Sequence, residues 1–83
     1  MPIINSLGLH ARPAAEFVKT SARFKAAVLV RKDGLEVNGK SIMGMMMLAA
    51  ERGSELYIRA EGDDAEQLLA ALVALVAAGF NEQ

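Results

Sequence analysis

The sequence predicts an α+β fold, short strands and longer helices in the order β-α-β-β-α-β-α that favour a mostly antiparallel sheet covered by helices on one face. Three observations predict it. Two apolar stretches recur with helical spacing, around Phe17 and around Leu72. Short runs such as Leu35–Asn38 and Leu56–Glu61 alternate with period two, the mark of strands with one buried face. Glycine turns separate these elements at close intervals, leaving no linker, internal repeat or low-complexity stretch, so residues 1–83 form one domain.

Pro2-Ile3-Ile4-Asn5 reads as a first strand, with its proline where a missing N–H is tolerated at a sheet edge. A helix follows from about Ala11 to Ala22. Pro13 falls in its first turn, Ala14, Phe17, Val18 and Ser21 share one face, and Glu16, Lys19 and Arg23 share the other. Ala26–Arg31 is a second strand, Lys32-Asp33-Gly34 a turn, and Leu35–Asn38 a third strand. After the Asn38-Gly39 turn, Ser41 caps a second helix reaching roughly Arg52, with Gly53 to stop it. Leu56, Ile58 and Ala60 form the buried side of a fourth strand ending at Gly62. Asp63 is the expected N-cap of the last helix, with Glu66 in capping-box position. That helix runs to about Ala78 on a stripe of Leu68, Leu69, Leu72, Val73, Leu75 and Val76.

Composition narrows the function. There is no cysteine and one histidine, which argues against disulfides and against a zinc or iron centre, and no cofactor is expected. The most apolar stretch, Leu68–Phe80, is too short to span a bilayer, and no basic leader precedes it at the N-terminus; a cytoplasmic protein is the expectation. Up to Ile42 seven Lys/Arg stand against three acids, a balance of +4; from Met43 two Arg stand against seven acids, a balance of −5. The first half therefore favours acidic protein surfaces as partners. Nucleic acid is disfavoured, because the four aromatics are not interleaved with a basic run.

The chemistry concentrates in Gly8-Leu9-His10-Ala11-Arg12-Pro13-Ala14-Ala15. Histidine gains and loses charge near neutrality, and a helix start offers free N–H groups and a positive dipole end to an anion. An imidazole there, with a guanidinium two residues on, suits a phosphoryl group bound through nitrogen. A lone histidine is more often an ordinary surface or satisfied core residue, and Arg12 alone would be a solvated helix residue. Ser41 alone would be just an N-cap, and the Met43-Met45-Met46-Met47 cluster usually means core filling. Met45 and Leu48 are expected to be buried, with Ile42, Met43 and Met46 on another flank of the helix.

The run from Gly8 to Ala14 resembles the active-site motif of the HPr family, histidine-containing phosphocarriers of the phosphoenolpyruvate-dependent phosphotransferase system. Asn38-Gly39-Lys40-Ser41-Ile42-Met43-Gly44 is similar to that family's second motif, whose serine is a regulatory phosphorylation site. The resemblance spans the whole chain and implies an α+β open-faced β-sandwich, a four-stranded antiparallel sheet covered on one face by three helices. It implies that His10 accepts a phosphoryl group on Nδ1 from phosphorylated Enzyme I and passes it to IIA-type domains, without being a free-standing enzyme. Arg12 matches the family's phosphate-neutralising arginine, with Ala11 beside it as a phosphate-binding position. An HPr kinase/phosphorylase acting on Ser41 would be a further partner. Ala11, Ala15, Ile42, Met43 and Met46, with Arg12, are the expected docking patch, and a monomer without membrane or nucleic-acid contacts is expected. The chain departs from the family in having fewer residues before the Gly8-Leu9-His10 run, so a clipped first strand is expected. A non-catalytic regulatory module of the same fold and, more remotely, a small acyl-phosphate hydrolase using Arg12 are the competing readings.

Overall fold

The computed structural model describes residues 2, 11–48 and 54–81. Within these, three helices, α1 (Ala11–Ser21), α2 (Ile42–Met47) and α3 (Ala65–Ala77), accompany three strands, β1 (Ala27–Lys32), β2 (Leu35–Asn38) and β3 (Tyr57–Glu61). The sheet is antiparallel throughout, in the order β2-β1-β3. The first strand expected at Pro2–Asn5 lies outside the described residues except for Pro2, which forms an isolated antiparallel bridge with Glu55.

Strand alternation divides the sheet into two surfaces. Val28, Val30, Ile58 and Ala60 point toward the helices and join a core with Ala14, Phe17, Met45, Leu48, Leu68, Leu72 and Val76. The other surface carries Arg31, Glu36, Asn38, Tyr57, Arg59 and Glu61, all exposed. There the Arg31 guanidinium lies 4.7 Å from the centre of the Tyr57 ring, and Arg59 reaches Glu36 across the sheet at 3.7 Å. Among the described residues the helices thus cover one face only, the open-faced arrangement expected from the sequence.

Local chemistry explains most boundaries. Asp33 and Gly34 both take positive φ, 50° and 83°, which a two-residue hairpin between right-twisted strands requires. Lys32 therefore stays in β1, paired with Leu35, rather than entering the turn. At the other end of β1 the sequence places Ala26 in the strand, whereas the strand starts at Ala27. The amide of Ala26 is taken by Asp64, whose Oδ1 accepts it at 2.8 Å while Oδ2 accepts the amide of Lys25 at 2.9 Å.

The same contact corrects the expected cap of α3. The N-cap is Asp64, not Asp63, and its side chain makes no hydrogen bond to the helix it starts. The carboxylate instead ties the entry of β1 to the start of α3. With α3 beginning at Ala65, Glu66 falls too early to close a capping box. The stripe on α3 is also narrower than expected: Leu68, Leu72 and Val76 are buried, but Val73 is exposed. Gly79, at φ 63°, ends the helix, and Phe80 folds back into the core at φ 58°.

The two amides, that of Lys25 foremost, hold the Asp64 carboxyl below its usual value of 3.8, assisted by the Lys40 charge and opposed by partial burial. A carboxyl with a folded value below its unfolded one contributes stability above the unfolded value and loses it as pH falls through the folded value. Asp64→Asn is accordingly expected to be less stable than the parent at neutral pH, with the difference shrinking in the acid range. Urea midpoints measured across pH check this; a difference that stays constant into acid would rule it out.

Candidate functional site

Ala11 is the first helical residue of α1, and His10 is its immediate neighbour in the chain, itself outside the described residues. The helix forms here because Pro13 fits the first turn without losing an internal hydrogen bond, and because Ala14, Phe17 and Ser21 bury one stripe. Buried Ser21 returns its hydroxyl to the Phe17 carbonyl at 2.9 Å, so the helix end leaves no unsatisfied donor there. The first turn holds no acidic side chain, and both Ala11 and Arg12 are exposed; Ala15 is half-buried.

The second motif folds as a turn feeding a six-residue helix. Asn38 Oδ1 accepts the Lys40 amide at 2.9 Å, and the Asn38 carbonyl accepts that of Ser41 at 3.1 Å. Lys40 Nζ donates to the Phe24 carbonyl at 2.7 Å, fastening the turn to the segment after α1. Ser41 takes an extended backbone, and its Oγ accepts the Gly44 amide at 3.0 Å, an N-cap as the sequence suggests. The helix ends at Met47 rather than near Arg52, which with Gly53 lies outside the described residues. Lys32 Nζ donates to the Leu48 carbonyl at 3.3 Å, placing a cation at the negative end of α2.

Met45 and Leu48 are buried, whereas Ile42, Met43 and Met46 are exposed, as the spacing predicts. Met47 joins them, and these four line a shallow apolar hollow on the outside of α2. Sequence reasoning passed over Met47, although its place one turn after Met43 would have found it. Since α1 and α2 pack together, the segment Ala11–Ala15 and this hollow sit on adjoining helices. A second, polar hollow, lined by Arg31, Glu36, Tyr57, Ile58 and Arg59, lies on the sheet. Among the described residues no group of three or more histidine, cysteine or carboxylate side chains could hold a metal ion, and no helix is long and apolar enough to cross a membrane.

Exposed side chains at a helix start can hold a transferred group but cannot exclude water from it. Fold and surface together therefore define a small group-carrier domain.

Comparison with known proteins gives the same class. A family model described as the PTS HPr component phosphorylation site matches residues 1–78. The phosphocarrier protein HPr of Neisseria meningitidis serogroup A is 46% identical over 80 residues, covering 96% of this chain and 90% of that one. The HPr-like protein Crh of Bacillus subtilis is 49% identical over 69 residues, covering 83% and 81%. The crystal structure of HPr-C-His from Thermoanaerobacter tengcongensis superposes with a TM-score of 0.95 at 47% identity, covering 100% of this chain and 93% of that one. The chain belongs to the HPr family of the phosphotransferase system, and it is a phosphocarrier rather than a free-standing enzyme.

Proposed function

We propose that His10 accepts a phosphoryl group on Nδ1 from phosphorylated Enzyme I in the cytoplasm and hands it to IIA-type domains. The observation that carries this is the start of α1 directly after His10, with Arg12 exposed and no acid in the first turn. As the new N–P bond forms and the donor's bond breaks, the added negative charge meets the amides of the first turn, about Ala11 and Arg12. Dipole stabilisation of this kind is modest, under about 2 kcal/mol. Modest is what a carrier needs, since tighter holding would slow onward transfer. The test is incubation with Enzyme I and phosphoenolpyruvate, followed by localisation of the label by peptide mapping under alkaline conditions that preserve a phosphoramidate. Label on any residue other than His10 would overturn the assignment.

Arg12 supplies charge-assisted hydrogen bonds to the phosphoryl oxygens within the complexes. Arg12→Ala is expected to slow single-turnover transfer roughly tenfold without a change in circular dichroism, the side chain being exposed. Wild-type rates in that variant would remove Arg12 from the mechanism.

Docking uses Ala11, Arg12 and Ala15 on α1 with Ile42, Met43 and Met46 on α2, extended by Met47. Small alanines let a partner approach closely, and flexible methionines adapt to more than one partner. Met43→Asp is expected to raise the KM of Enzyme I for the carrier roughly tenfold, by burying a charge in each complex. The fold should survive, because Met43 is 74% exposed. An unchanged KM would take Met43 out of the patch.

Ser41 is the proposed regulatory position, modified by an HPr kinase/phosphorylase. A phosphate there adds about −1.5 to −2 charges at the start of α2 beside the docking surface. The helix start tolerates that charge, while an acidic partner is repelled by it.

A further inference from the structure

The three exposed methionines of α2 differ from the buried one in a way that docking alone does not require. Met43, Met47 and Met46 are 74%, 62% and 44% exposed, on one face of the helix, whereas Met45 between them is 0% exposed. No cysteine occurs anywhere in the chain, so no thiol competes for an oxidant. We propose that Met43, Met46 and Met47 form an oxidation site at which hydroperoxides reversibly switch off partner docking, an inference that rests on the docking reading above.

The step is balanced with a hydroperoxide as oxidant. The thioether sulfur attacks the terminal peroxide oxygen, the S–O bond forms as the O–O bond breaks, and the proton of the transferred hydroxyl passes to the departing oxygen, which leaves as water or an alcohol. Sulfur is oxidised by two electrons and the peroxide is reduced by two. The product sulfoxide is polar, and docking would bury it where an apolar thioether had lain. Because the three side chains face outward, oxidation leaves the core untouched; Met45, packed within that core, is shielded by the fold. Stereospecific sulfoxide reductases restore the thioether, which makes the change a switch rather than damage.

The experiment treats the carrier with hydrogen peroxide, removes the peroxide, and only then adds Enzyme I and phosphoenolpyruvate. Peptide mass spectrometry follows each methionine, and each chain's transfer rate is compared with that of its own untreated form. Met43 and Met47 should oxidise first, Met46 next and Met45 last. Transfer at limiting carrier should fall roughly tenfold and recover after a methionine sulfoxide reductase is added. In the triple variant Met43→Leu, Met46→Leu, Met47→Leu, the ratio of treated to untreated rates should stay near one. Oxidation of the three methionines without loss of transfer overturns the switch; if Met43→Asp still impairs transfer, the docking reading survives. If neither treatment nor Met43→Asp has any effect, the docking reading and the switch fall together. Met45 oxidising as fast as Met43 in chain that remains folded by circular dichroism also overturns it.

Discussion

A chain carrying His10→Ala is expected to acquire no acid-labile phosphoryl group from Enzyme I and phosphoenolpyruvate, a complete loss rather than a slowing. His10 is the sole histidine, so no second imidazole can take over. Acid lability makes the test specific. A phosphoramidate on imidazole hydrolyses in acid, whereas a phosphate ester on Ser41 survives it, so the two proposed phosphorylations separate by one acid wash. Removing the imidazole removes the nucleophile while leaving the first turn and Arg12 in place. An acid-labile adduct persisting in His10→Ala would mean that another side chain is the carrier, and the helix-start reading would fail.

The second large effect concerns stability and falls at Gly62→Ala. Gly62 has φ 142°, a region that L side chains rarely adopt, and a Cβ there would stand 2.8 Å from the Ala26 Cα. Neither side of this contact can retreat cheaply. Ala26 is buried and its amide is held by Asp64, while Gly62 itself joins β3 to the turn that starts α3. Strain and overpacking together are expected to cost about 2–4 kcal/mol, a large part of the about 4–12 kcal/mol typical of a domain this size. Gly34→Ala is the control: its φ is 83°, but nothing lies within 4 Å of the added carbon. Only the backbone cost of about 1 kcal/mol applies there. Urea unfolding of both variants measures the difference, and equal losses would show that the clash with Ala26 is relieved.

What could be read from the sequence was mostly local. The period of α1, the alternation of β2 and the Lys32-Asp33-Gly34 turn each follow from neighbours a few residues apart, and each appears within a residue of its expected bounds. The local cap rule points to Asp63 instead of Asp64, and the partners of the Asp64 carboxylate, Lys25 and Ala26, lie 39 and 38 residues away, where no local rule reaches. Val73 was misjudged because helical spacing gives a face but not the width of what covers it. Phe80 went unnoticed as a core residue, since a glycine stop signals only an end and not a chain that turns back inward. At the site, the residue types of both motifs were legible, as was the burial of Met45 against the exposure of its neighbours. The fastening of the second motif to Phe24 and of α2 to Lys32 was not, because long flexible cations choose their carbonyls only after the fold exists.

The sheet surface opposite the helices has a practical value. Ala27 and Glu61 are paired there, both exposed, on the surface turned away from the helices. A single engineered thiol at either place, in a chain with no native cysteine, gives one chemically unique handle. A carrier anchored to a solid support through that handle keeps its helical side facing outward, free to meet soluble donors and acceptors.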